Sequence, residues 1–229
     1  MREDICTIPI SEAFEQEGGC PVCRMYKTVE QRIIDYIMGA AMMEPDIRIE
    51  TNRLGFCEKH LVDMMSRRGR LQLALMLETH TADLHSDIFR SGLFSSLTKK
   101  AEKAKVRRAS CFVCDKIEWG FSRMTETIYR TYDTDREFRD LFEKQEFFCL
   151  EHYSMLMEGA SKKNLKKYSS EFAKCLEQKT GEYLASLSAD LKKYCSMYDY
   201  RNSGAQADWH GSKDSIERTV EFLTGKETQ

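Results

Sequence analysis

The sequence predicts an all-α protein, and three observations carry that prediction. Only three prolines and 12 glycines interrupt 229 residues, which leaves room for long helices and little for a many-turned β protein. Apolar residues recur at spacings of three and four along much of the chain. A paired Cys/His pattern, of the kind that staples small helical units around a metal ion, occurs twice.

The elements follow in order. Pro21 stands directly after Cys20, as proline does at the first position of a helix, and Val29, Ile33, Ile34, Ile37 and Met38 form an apolar stripe. A helix from Pro21 to about Met43 is expected, broken by Glu44-Pro45-Asp46. A short helix over 46–53 and another over 57–67 follow, then a long helix over 70–104 after Gly69. The second half repeats the order, with helices over 111–132, 135–145 and 149–158 and a long one over 163–198. Leu165, Tyr168, Phe172, Leu176, Leu184, Leu187, Leu191 and Tyr194 mark the apolar face of that last helix. Core packing is its first reading; the interface of a homodimer is the second. Residues 201–229 are expected to be a polar tail with a short helix around 213–223.

The internal pattern sets the organisation. CPVC occupies 20–23 and CFVC 111–114, while FCEKH occupies 56–60 and FCLEH 148–152. Each half therefore reads C-x2-C, a spacer, then F-C-x2-H, which points to a tandem duplication. Taken by nearness in sequence, the ligands fall into two Cys3His sets: Cys20, Cys23, Cys57 and His60, then Cys111, Cys114, Cys149 and His152. The expected domains are 1–105 and 106–200, one repeat each, packed together by the long helices and followed by the tail.

The chemistry follows from the spacing. Residues three apart at a helix start share a face, so both C-x2-C and C-x2-H aim two donors at one point. Zinc takes four Cys and His ligands in closed, tetrahedral, structural sites. Helix N-termini favour thiolate over thiol and so support such a site. Two zinc ions per chain are expected. Iron–sulfur clusters are the alternative, although a bacterial cluster usually draws three cysteines from one tight run. A thioredoxin-like C-x-x-C wants a βαβ setting, and it leaves the C-x2-H pairs unexplained.

Charge and composition restrict the function classes. With 35 basic and 37 acidic residues the net charge is −2, without the basic footprint of nucleic-acid binding. Six of the ten residues from Lys99 to Arg108 are basic, read first as a solvated helix end. The opening residues lack a basic and apolar secretory signal, and Ile33 to Met43 is too short to span a bilayer. A cytoplasmic protein is expected, whose nine cysteines stay reduced and serve a metal before disulfides.

No catalytic constellation stands out: a Gly-rich phosphate loop, G-x-S-x-G and H-E-x-x-H are all missing. Glu58, Glu118 and Glu151 lie near the ligands, where a helix dipole explains acidic residues as well as a general base does. Cys6, Cys175, Cys195, His80, His85 and the pair Trp209-His210 are expected to be structural. Met42, Met43, Met64, Met65 and Met76 are expected to fill the core, with an adaptable partner surface as the alternative. The expected role is a non-enzymatic, zinc-stabilised structural or interaction protein with a protein partner. A redox- or metal-responsive thiolate protein, or an enzyme using a groove between the repeats, are the alternatives.

The stretches TIPISEAFEQEGGCPVC at 7–23, MEPDIRIETNRLGFCEKH at 43–60 and LQLALMLETH at 71–80 resemble a bacterial family of uncharacterised proteins, a domain of unknown function. In the second half the resemblance rests on CFVC and FCLEH. It implies a bacterial, cytoplasmic setting and brings no activity or substrate.

Overall fold

The computed structural model describes residues 7–90, 96–199 and 209–225. Among the described residues every regular element is helical and there is no strand. Eleven α-helices run in order: α1 (Thr7–Glu15), α2 (Pro21–Met38), α3 (Pro45–Leu54), α4 (Glu58–Ser66), α5 (Arg70–Leu84), α6 (Leu97–Ala109), α7 (Phe112–Thr134), α8 (Arg136–Lys144), α9 (Leu150–Gly159), α10 (Ser169–Ser196) and α11 (Ser215–Thr224). None is long and apolar enough to cross a membrane.

The chain forms two compact units, one of residues 1–27 with 122–229, the other of residues 28–121. These are not the sequential repeats 1–105 and 106–200. Each unit draws on both halves, because the boundaries fall inside α2 and α7.

The terminal unit is built on aromatic packing. Helix α8 places Phe138 and Phe142, four residues apart, on its buried face. Phe14 of α1 meets Phe138 at 5.1 Å, Phe142 at 5.8 Å and Phe148 at 6.4 Å between ring centroids. Tyr132 stands edge-on to Phe142 and Phe172, a geometry that suits the ring quadrupoles. Along α10 the buried stripe is Phe172, Leu176, Thr180, Tyr183 and Leu187. Leu184, expected on that face, is instead 47% exposed, because Tyr183 turns inward to stack on Phe147 at 3.9 Å.

The expected helix over 163–198 begins later, at Ser169. Asp133 explains the delay: its carboxylate accepts the backbone N–H groups of Lys166, Lys167 and Tyr168, which orders a turn ahead of the helix. In the tail, Trp209 packs on Tyr194 and Tyr198, and α11 supplies the short helix expected there.

The central unit has an aliphatic and methionine core. Ile34, Ile37, Met42, Met64, Leu73, Met76, Val113 and Ile117 are buried. Met43 and Met65 are exposed, so the methionines do not all fill the core. The first long helix expected, 70–104, is two helices. Helix α5 ends at Leu84 in a π-helical turn, His85–Phe89, and α6 starts afresh at Ser96, whose hydroxyl accepts the Lys99 N–H. The basic run on α6 is partly neutralised locally, Lys103 by Asp87 and Arg107 by Asp83.

Candidate metal centres

All eight predicted ligands converge, but in crossed pairs. One centre is Cys20, Cys23, Cys149 and His152; the other is Cys57, His60, Cys111 and Cys114. The first lies wholly in the terminal unit and the second wholly in the central unit. The sequential grouping is therefore corrected: each C-x2-C joins the C-x2-H of the other half.

Every ligand pair sits at the same place on its helix. Cys20, Cys57, Cys111 and Cys149 immediately precede α2, α4, α7 and α9, and each carbonyl accepts the first intrahelical bond, from Arg24, Leu61, Asp115 and Tyr153. They are N-caps, and the backbones of Cys57 and Cys149 have the extended conformation that N-caps require. The second member of each pair, Cys23, His60, Cys114 or His152, falls at the third helical position. N-cap and third-position side chains lean together, as in a capping box. Each centre thus gathers two helix N-termini, whose partial positive charge suits thiolates.

Local bonds explain the crossing. In the central unit the Phe112 N–H donates to Gly55 O at 2.9 Å, and the Ser110 hydroxyl donates to Leu54 O at 2.7 Å. These bonds hold the start of α7 against the segment that leads into Cys57. Gly55 has φ +61°, and a Cβ there would lie 2.6 Å from the His80 ring, so only glycine fits. In the terminal unit Arg24 of α2 reaches Gln145 Oε1, and Gln145 Nε2 donates to Phe14 O. That places the approach to Cys149 beside the start of α2.

The donor spacings fit one tetrahedral ion. Zinc bonds of about 2.3 Å to sulfur and about 2.0 Å to nitrogen imply edges of about 3.8 Å between sulfurs and about 3.5 Å from sulfur to nitrogen. In the first centre Cys23 and Cys149 sulfurs are 3.5 Å apart, and His152 Nδ1 lies 3.6, 3.2 and 3.1 Å from Cys20, Cys23 and Cys149. In the second, Cys57 and Cys114 sulfurs are 3.9 Å apart, and His60 Nδ1 lies 3.2, 3.3 and 3.5 Å from Cys57, Cys111 and Cys114. These sulfurs are not disulfide-bonded.

The family model described as "Family of unknown function (DUF6062)" matches residues 1–229. The chain belongs to that family. Neither the curated proteins nor the solved structures contain a match to this DUF6062 chain.

Electrostatics give a second reason for a cation. In the first centre burial opposes ionisation of Cys20, yet hydrogen bonds from Cys149 and Cys23 draw it well below the usual thiol range. Cys23, hydrogen-bonded to Cys149 and Cys20, is pushed up instead. The second centre repeats the contrast. Cys111, against the effect of burial, is drawn down to about 6 by His60 and by the Cys114 and Cys57 backbones, while burial and the Cys111 charge push Cys114 up to about 12. In each centre ionisation of one sulfur opposes ionisation of its neighbour, because adjacent thiolates repel. A divalent cation in place of those protons lets all three cysteines ionise together.

Two features around the ligands have no signature in the motif. Gly225, at φ +66° after α11, lies against the first centre: a Cβ there would be 3.3 Å from both the Cys23 and Cys149 sulfurs. Glu30 is the other. Its carboxylate accepts from His60 Nε2 at 2.9 Å and also pairs with Lys59, and its side chain is only 12% exposed. The His60 bond holds Glu30 down to about 2. Burial opposes the charge on His60, but Cys111 and Glu30 hold its imidazolium up to about 10. With Nε2 donating to Glu30, Nδ1 is the nitrogen turned toward the thiols, the usual arrangement behind a metal-bound histidine.

Replacing Glu30 by alanine is expected to weaken metal binding at the second centre about 10–100-fold, and Glu30→Gln, which keeps an acceptor, by less. Competition with a chromophoric chelator measures this. Equal loss at both centres would show that Glu30 acts on the fold and not on His60.

The other candidates have structural places. Glu58 and Glu151 occupy the first turns of α4 and α9, where acidic side chains suit the dipole. His80 Nδ1 bonds Asn52 O, and His85 packs near Phe89. Burial pushes the Cys175 thiol up, and Cys195 is exposed. Cys6 lies outside the described residues.

Proposed function

We propose that this chain is a zinc protein with two structural Cys3His centres, serving a non-enzymatic structural or interaction role in the bacterial cytoplasm. The observation that carries the metal reading is the recurrence of four N-cap pairs whose donor atoms stand at tetrahedral spacing. Sulfur and nitrogen donors in this proportion suit zinc, and spacings under 4 Å leave room for one ion but not for a polynuclear iron–sulfur core. Four protein ligands close the coordination sphere, so no position is left for a reacting water. The interaction role is supported by exposed aromatic surface on the central unit, where Trp119 is 61% and Tyr36 51% exposed.

A redox-responsive reading is favoured by one asymmetry. In the first centre Cys20, Cys149 and His152 are buried, whereas in the second Cys114 is exposed. A hydroperoxide that takes two electrons from the Cys57 and Cys114 thiolates would join them as a disulfide while its O–O bond breaks to two hydroxides, or to hydroxide and an alkoxide, which take protons from solvent, and would free the metal.

One experiment tests both readings. Protein purified without oxygen or added metal is expected to hold about two zinc per chain and to be colourless. Iron with absorption near 400 nm overturns zinc, and no metal overturns the centres altogether. Subsequent peroxide treatment separates the two roles. A structural pair retains both ions, whereas a redox device releases one ion, from the second centre, and rebinds it after thiol reduction.

A further inference from the structure

The central unit carries a cleft of about 660 Å³ that the metal centres do not use. Three helical faces build it. Glu58, Leu61, Val62 and Met65 recur at three and four residues along α4; His80 and Leu84 come from α5; Ala104, Arg107 and Arg108 come from α6. Cys57 of the second centre stands at its edge. The volume lies within the range of about 300–1,000 Å³ typical of small-molecule sites.

Its chemistry is two-sided. Val62 and Met65 are 56% and 44% exposed, so the α4 wall offers apolar surface that water covers poorly. The α6 wall brings two guanidiniums, Arg107, which is paired with Asp83, and Arg108, while α4 brings one carboxylate, Glu58. Arg107 is fixed by bonds to Asn52 O and Asp83. The Arg108 side chain is exposed and has no hydrogen-bond or carboxylate partner among the described residues. A planar guanidinium without a partner, beside an apolar wall, suits a carboxylate attached to an apolar body.

We infer that this cleft binds an amphipathic organic carboxylate, its apolar body lying on Val62 and Met65 and its carboxylate on Arg108. Apolar contact supplies affinity, and the guanidinium selects an anionic head group over a neutral or cationic one of the same length. Occupation of the cleft would cover the Cys57 side of the second centre.

Titration of the metal-loaded, full-length protein with dodecanoate, followed by calorimetry, tests this, with dodecanol and dodecyltrimethylammonium as head-group controls. Saturable binding of one dodecanoate per chain is expected, at least about tenfold tighter than either control. Arg108→Glu and Val62→Glu change exposed side chains, and each is expected to weaken binding about tenfold or more while metal content stays unchanged. The proposal is overturned by absence of saturable binding, by equal affinity for the three head groups, or by binding that neither substitution alters. Metal content is measured on the same samples, so failure here is distinct from failure of the zinc reading.

Discussion

A chain carrying Cys57→Ser and Cys114→Ser is expected to retain one zinc, whereas a chain carrying Cys23→Ser and Cys57→Ser is expected to retain none. The first pair removes two ligands from a single centre and leaves Cys20, Cys23, Cys149 and His152 intact. The second removes one ligand from each centre. Grouping by nearness in sequence predicts the reverse for both variants. The three substituted residues are the less buried ligands, which limits damage to the packing. Metal content after dialysis against a weak chelator is the readout, since a three-ligand remnant holds zinc far less tightly than a closed site. Equal content in the two variants would sink the crossed arrangement.

The candidate ligand pairs are legible in the sequence because the chemistry is local. A cysteine at an N-cap and a partner three residues on share a helix face whatever the rest of the chain does, so Cys20/Cys23, Cys57/His60, Cys111/Cys114 and Cys149/His152 could be read as pairs. Which pair meets which is a long-range question. It is decided by contacts such as Phe112 N–H to Gly55 O and Gln145 to Phe14 O, which leave no periodic trace in sequence. Nearness in sequence was the only guide, and it favoured the wrong partner.

The helices divide the same way. Helices α7 and α8 were placed closely by periodicity, and α2 starts at Pro21 as expected but ends at Met38, five residues short of the expected Met43, where a 3-10 turn, Ala40–Met43, follows. The breaks at Ser96 and at residues 165–168 were missed. They depend on a side-chain cap and on Asp133 reaching forward to backbone more than 30 residues later. Glu30 was invisible for a related reason: a carboxylate on a polar helix face carries no sign that a histidine from α4 will reach it.

Removal of both metal ions is expected to abolish cooperative folding, and in a definite order. Structural zinc contributes about 10–16 kcal/mol of apparent folding free energy in small peptide systems. A domain's whole net stability is about 5–15 kcal/mol. At about 2–4 °C per kcal/mol for a chain of this size, loss of even ~10 kcal/mol lowers Tm by more than about 20 °C. The centres are placed to have such an effect, because each ties two helix starts together through four side chains.

The units should not fail together. The first centre is mostly buried and has Gly225 packed against its sulfurs, while the second exposes Cys114 to a chelator. The terminal unit also has the Phe14, Phe138, Phe142 and Phe172 cluster, apolar packing to which no metal ligand contributes. The two tryptophans report the units separately, Trp119 lying in the central unit and Trp209 in the terminal one. With Trp209→Phe and Trp119→Phe variants, a chelator is expected to change Trp119 fluorescence first and Trp209 fluorescence later, with both signals restored by zinc. A metal-free protein that keeps its helical circular dichroism and melts within a few degrees of the loaded form would mean the helices hold themselves, and the centres would then need a role other than structural support.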